Sequence, residues 1–297
     1  MTPTLVQSHL PRAGTAPRVD LGARARDWAE IQERMLVPLF EAVYERLDVG
    51  DGTRLLGLGC GSGLALLMAA SRGAAVTGVE PSAPERLALA RKRLAPDSAP
   101  EAAAGGAGGA GGAGAAGGAR LVEGGPADAA GPDVPAYNLV TAFQPIGCMA
   151  GDSEGLSSLL ETAAPLTDRG TPVVLVGWGP PERCATSMVL RVATKLADPM
   201  RSAGSWRPAL RDDLEEVAQR AGLKPDGSGR VACPFGYADV ESAVRGLLST
   251  GLFDAAVGAT DKAQVDKELT EALHPHRRHD GTVWMPNVFR YLIARTP

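Results

Sequence analysis

The sequence predicts an α/β protein with a mostly parallel sheet and helices on both faces. Three features carry the prediction. Short apolar runs alternate with longer amphipathic stretches, the first run passes into the glycine-rich turn "LLGLGCGSG" at Leu55–Gly63, and the same alternation resumes after a tract of only alanine and glycine. A strand, a tight turn, a helix and a second strand in that order are what a parallel sheet with crossover helices requires.

Residues 1–20 hold three prolines and little periodicity, so a loose tail is expected there. Helices follow over 21–49, where Trp28, Ile31, Met35, Leu39, Val43 and Leu47 recur at spacings of three and four. Pro38 is expected to separate two helices, because proline disfavours the helical conformation of the residue before it. From Thr53 the rhythm becomes strand-like. "TRLLGLG" predicts a strand, "LALLMAASRG" a helix closed by Gly73, "AAVTGVE" a second strand, and "APERLALARKRLA" a second helix. Basic residues in the last turns of that helix suit its dipole.

The tract at 102–119 has no side chains able to bury area against the entropy of ordering it, and is expected to be a disordered surface insertion. Beyond it, "ARLVEGG", "YNLVTAF" and "TPVVLVGWG" predict strands, and "VWMPNVFRYLIAR" a last one, antiparallel and at a sheet edge. Helices are expected over 153–163, 183–197, 209–221, 239–249 and 261–273, the third stopped by Gly222.

Composition bounds the function. Of 297 residues, 44% are hydrophobic, enough for a substantial core. Thirty basic against thirty-four acidic side chains give a net charge of −4, which argues against broad phosphate-backbone binding. Cys60, Cys148, Cys184 and Cys233 form no C-x-x-C pair and suit a reducing cytoplasm better than a disulfide framework. With no apolar signal region and no run of membrane-spanning length, the expectation is a cytoplasmic protein, monomer or homodimer, with no membrane or nucleic-acid partner.

The glycine turn carries the chemistry. A turn between strand and helix presents backbone N–H groups and the positive end of a helix dipole, a setting for anionic or polar ligand groups. Ser62 is placed to help cap the following helix. A dinucleotide fingerprint needs G-x-G-x-x-G, but from Gly57 its third glycine falls on Ser62, and from Gly59 on Leu64. No G-K-[ST] follows, so a phosphate-binding P-loop is excluded too. What stands there is G-x-G-x-G at Gly59, Gly61 and Gly63, with Glu80 seventeen residues on, at the end of the next strand.

On "LLGLGCGSG", "VTGVEPS", "RLVEGGPAD" and "YNLVTAFQPI", the sequence resembles the class I S-adenosylmethionine-dependent methyltransferases of small-molecule type, in order from about residue 53 to the C-terminal hairpin. The resemblance implies a Rossmann-like fold with a mostly parallel seven-stranded sheet, an antiparallel C-terminal strand and a helical cap. It divides the chain into lid helices (21–49) and a core (50–297), with cap segments near 183–200 and 236–280. It implies S-adenosylmethionine as cofactor. Gly59, Gly61 and Gly63 would pass its methionine part and Glu80 would accept from its two ribose hydroxyls, with Cys60, Pro81 and Gly125 also counted as cofactor-binding. Phe143 and Gln144 would lie beside the methyl-bearing sulfur. Family members commonly carry an acid at position 57 and another after the third strand, where this chain has Gly57 and Gly125. Asp128 stands near the second. For the first, a carboxylate of the lid helices (Asp27, Glu30 or Glu33) is the expected replacement.

Methyl transfer from a sulfonium is an in-line displacement that needs alignment and exclusion of water, and a general base only for hydroxyl or protonated amine acceptors. The candidates for a catalytic group are His274, His276 and His279 of "HPHRRHD", and Tyr237. Trp178 and Tyr237 are candidate pocket walls. Pro275 breaks the helical spacing a zinc helix needs, so no metal is expected. Gln144-Pro145-Ile146-Gly147 lacks the second proline and the aromatic of DNA amino-methyltransferases, which leaves a small-molecule acceptor, of secondary-metabolite type. A non-methylating relative catalysing cyclisation or rearrangement, and a non-catalytic binding protein, are the alternatives.

Overall fold

The computed structural model describes residues 20–95, 119–147, 152–197 and 213–297. The expected tail and the Ala/Gly-rich insertion lie outside the described residues except for Asp20 and Ala119, and Cys148 lies outside them as well.

Seven strands form one sheet. They are β1 (Arg54–Leu58), β2 (Ala75–Glu80), β3 (Arg120–Glu123), β4 (Leu139–Ile146), β5 (Pro172–Trp178), β6 (Lys224–Ala232) and β9 (Val288–Arg295). Their order is β3-β2-β1-β4-β5-β9-β6. The first five pair in parallel, and β9 runs antiparallel to both its neighbours, β5 and β6. Consecutive residues of a strand serve opposite faces. Leu55, Val174 and Val176 join one buried cluster, whereas Leu56, Leu58, Val173 and Leu175 join the other. Both faces are therefore covered, as a parallel sheet demands.

On the first face lie α2 (Val37–Arg46) and α3 (Leu64–Ala70) with the cap, and α1 (Leu21–Asp27) precedes them in the chain. The cap comprises α6 (Thr186–Ala197), α8 (Val240–Ser249), α9 (Asp254–Ala259) and α10 (Lys262–Leu273). On the second lie α5 (Asp152–Ala163) and α7 (Asp213–Arg220). The helix α4 (Pro84–Leu94) returns the chain from β2.

Four findings differ from the sequence expectations. Pro38 stands in the first turn of α2, where its missing N–H costs no helical bond. The backbone before it continues through a π turn (Trp28–Gln32) and a 3-10 turn (Glu33–Leu36) instead of breaking. The strand β6 was not anticipated, because "KPDGSGRVA" has the composition of a loop. Tyr291 supplies the reason for one of its glycines, since a β-carbon on Gly229 would fall 2.4 Å from that ring. The C-terminal apolar stretch is two strands, divided at Pro286. The short β8 (Val283–Met285) pairs with β7 (Phe235–Tyr237) in a separate two-stranded sheet. Finally β9 is not an edge strand but sits between β5 and β6. Full burial of Phe289, Leu292 and Ala294 accords with that interior place.

Candidate functional site

The site is built at the carboxyl ends of β1 and β2. After Leu58 the chain turns through Gly59, Gly61 and Gly63, all with left-handed backbone (φ 60°, 56° and 80°), before α3 begins. That conformation is costly for any residue with a β-carbon. Cys60 N–H donates to Val79 O at 3.0 Å and anchors the turn to β2.

Two carboxylates close on the turn. Glu80, 5% exposed, accepts at Oε2 from the Gly61 N–H (3.0 Å) and at Oε1 from the Ser82 N–H (3.3 Å) and hydroxyl (3.1 Å). Glu33, 4% exposed, comes from the lid. It accepts from the Ser62 N–H at 3.2 Å and from the Ser62 hydroxyl. Arg93 of α4 completes this group, donating to Glu33 and to Ser62 O, each at 2.8 Å. Of the three lid acids, Glu33 alone meets the glycine turn. Asp27 pairs with Arg245 of α8, and Glu30 is exposed.

A cavity of about 500 Å³ opens along this edge. Its wall includes Gly57, Gly59, Cys60, Gly61, Glu33 and Glu80 on one side, and Phe143, Gln144, Trp178 and Phe289 further along the sheet. Burial, and then the charges of Glu80 and Glu33, push the Cys60 thiol up to about 12. Trp28 of the lid also lines the cavity, and its buried indole N–H has no hydrogen-bond partner. Arg86 stacks on that indole with its guanidinium 4.2 Å from the ring centroid and donates to Ser249 O at 2.6 Å. Burial lowers the Arg86 pKa.

The structure brings together six of the nine residues assigned to the cofactor (Gly59, Cys60, Gly61, Glu80, Phe143 and Gln144) and sets others apart. Gly63, Pro81 and Gly125 are not among the cavity-lining residues. Gly63 serves packing, since a β-carbon there would lie 2.9 Å from Ala90 Cβ. Gly125 donates its N–H to Asp128 Oδ2 at 2.9 Å, so Asp128 caps its own turn outside the cavity. Tyr237 is core, not wall. It donates to Gln32 at 2.9 Å, and burial raises its pKa. His274, His276 and His279 lie in and just after a 3-10 turn outside the cavity lining, and burial lowers the His276 pKa. Among the described residues no group of His, Cys, Asp and Glu is arranged to hold a metal ion, and Cys60, Cys184 and Cys233 are free thiols. Sequence reasoning missed Trp28 and Arg86 as site residues. A lid tryptophan shares its signal with any core aromatic, and Arg86 reads as one of several basic residues on α4.

The donor set fits S-adenosylmethionine in kind. Gly61 forms a cradle that a β-carbon would fill, at 3.2 Å from Glu33 Oε1 and 3.3 Å from Trp28 Nε1. Glu33 offers a carboxylate, and Trp28 offers an orphaned donor beside it. A carboxylate has about four acceptor positions, so the three bonds Glu80 already accepts leave one on Oε2 for a ligand hydroxyl. A second becomes available if the Ser82 hydroxyl turns away.

No protein-family model matches the sequence, and no curated protein matches it significantly. Many solved structures do match in fold. Protein YjhP of E. coli is 18% identical over 93% of this chain and 99% of its own, with a TM-score of 0.50. Protein YcgJ of Bacillus subtilis is 13% identical over 86% of this chain and 97% of its own, also at 0.50. A candidate methyltransferase of Bacillus halodurans is 15% identical over 86% and 98%, at 0.49. The described residues give a mixed seven-stranded sheet with one antiparallel strand and helices on both faces, which is the Rossmann-like class I methyltransferase fold.

Proposed function

We propose that the protein transfers a methyl group from S-adenosylmethionine to a small-molecule acceptor. The observation that carries this reading is the pair of buried carboxylates, Glu80 and Glu33, closing on a left-handed glycine turn at the mouth of a largely apolar cavity.

When bound, the cofactor supplies a methyl group already activated on a sulfonium. The residues of this chain have binding and alignment to perform. Glu80 accepts a ribose hydroxyl through Oε2, and Glu33 takes the cationic amino group in place of the acid absent at Gly57. Trp28 Nε1–H donates to the amino-acid end of the cofactor. Phe143 rests on Phe40 and Tyr44, with ring centroids 4.8 and 5.6 Å away, and presents a rigid wall that excludes water from the transfer path. The described lining holds no histidine, lysine or tyrosine. Asp152, which follows β4, also lines the cavity, and we assign it the proton when the acceptor is a hydroxyl.

The test is transfer of labelled methyl from S-adenosylmethionine into a metabolite extract, with S-adenosylhomocysteine binding measured alongside by calorimetry. Binding together with labelled product supports the proposal. Binding with no labelled product favours a non-methylating relative, and absence of binding rejects the cofactor.

A further inference from the structure

The sheet order sorts the cavity wall by chemistry. Across the site it runs β2-β1-β4-β5-β9. Glu80 ends β2 and the glycine turn follows β1, whereas Phe143 lies on β4, Trp178 on β5 and Phe289 on β9. Trp178 and Phe289 are register partners across β5 and β9, with ring centroids 4.6 Å apart and planes at 44°. Phe235 of β7 stands 6.0 Å from each of them. At about 4.8 Å per strand spacing, Trp178 on β5 is about 10 Å and Phe289 on β9 about 14 Å along the sheet from β1. This aromatic group forms a second compartment, with Phe143 between it and the glycine turn.

Charge is sorted in the same way. Among the described residues, the charged side chains lining the cavity are Arg24, Glu33, Glu80, Glu85, Arg86 and Asp152. Five come from the lid, the end of β2 or the start of α4, and Asp152 comes from the element after β4. None comes from β5, β7 or β9. Arg290, next to Phe289, is paired with Glu215 of α7 instead. Phe235 and Phe289 are buried, while Trp178 is half-buried and keeps part of its ring open to the cavity. A charged ligand group entering this compartment would lose its water and find no partner among the described residues. A flat ring would find offset or edge-to-face contacts.

We propose that the acceptor is an uncharged, flat, aromatic molecule, seated against Trp178 with its reacting atom toward Phe143. This rests on the methyl-transfer reading above. The experiment is calorimetric titration of the full chain, with and without saturating S-adenosylhomocysteine, using naphthalen-2-ol as the neutral probe and naphthalene-2-carboxylate as the charged one. The cofactor product is titrated separately, so its failure to bind rejects the cofactor reading without touching the compartment. The expected result is that naphthalen-2-ol binds the loaded protein at least about tenfold more tightly than the carboxylate. Trp178→Ala should weaken naphthalen-2-ol about tenfold and leave S-adenosylhomocysteine unchanged. Trp178→Phe should retain most of the probe affinity. If Trp178→Ala fails to fold, Trp178→Leu replaces it, keeping apolar packing on Phe289 without the aromatic face. No binding of naphthalen-2-ol, equal or tighter binding of the carboxylate, or unchanged naphthalen-2-ol affinity in the folded variant would overturn the proposal.

Discussion

A β-carbon on Gly57 would sit 2.9 Å from Leu66 Cδ2, and one on its register partner Gly78 would sit 2.5 Å from Leu66 Cδ1. One leucine of α3 thus fills the space over two strands, where the usual acid at position 57 would begin. Gly57→Asp should lower stability by about 1–3 kcal/mol in urea unfolding. Combined with Leu66→Ala it should cost less than the sum of the two single changes, the mark of direct coupling. On the proposed methyl-transfer reading the role passes to Glu33. Glu33→Gln should weaken S-adenosylhomocysteine by about 10- to 100-fold in calorimetry, the range for a lost charge-assisted hydrogen bond. Asp27→Asn, which alters a pair with Arg245 at α8, should leave that affinity within about twofold, as expected of a surface pair. Equal losses in the two variants would mean that the lid acts as a whole, with no special place for Glu33.

At the scale of elements, the glycine turn is held by its contacts with β2, α4 and the lid. Gly63→Ala meets both a left-handed backbone (φ 80°) and Ala90 of α4, and should destabilise by about 1–3 kcal/mol without a direct effect on ligand contacts. The buried thiol in the turn gives a pH signature. Cys60 is raised from its ordinary value near 9 to about 12, so the unfolded chain ionises first. Its contribution is full below pH 9 and is lost as pH rises from 9 toward 12. Cys60→Ala should flatten that part of the alkaline decline in stability, and an unchanged slope would contradict the burial argument. These elements were unequally legible in the sequence. The β1-turn-α3-β2 unit was plain because apolar runs and glycines fall in strand, turn and helix order. By contrast β6 was hidden, since Pro225, Asp226, Gly227 and Gly229 carry loop composition and the strand owes its pairing to β9. In the lid, three acids were open from sequence. The π turn at Trp28–Gln32 departs from the 3.6-residue repeat, so regular periodicity had no means of selecting Glu33.

Over the whole molecule, the N-terminal helical segment, the carboxyl edge of the sheet and a loop with Thr250 and Leu252 line one cavity with two chemistries. The lid is tied across it by Arg24–Asp254 at 2.8 Å, by Asp27–Arg245, and by Arg86 between Trp28 and Ser249 O. Among the described residues no helix is long and apolar enough to cross a membrane. The aromatic compartment was only partly legible. Trp178 ends the fifth strand in plain view, but its partners Phe235 and Phe289 come from strands whose pairing depends on the fold. The central claim is that the glycine turn with Glu80 and Glu33 is a site for S-adenosylmethionine. The most direct measurement is thermal unfolding of the wild type and of Glu80→Ala with S-adenosylhomocysteine or NADH. Ligand at a hundred times its Kd should stabilise the wild type by about 2.7 kcal/mol, with NADH giving no shift and Glu80→Ala a much smaller one. Stabilisation by NADH, or no response to S-adenosylhomocysteine at millimolar concentration, would contradict the account.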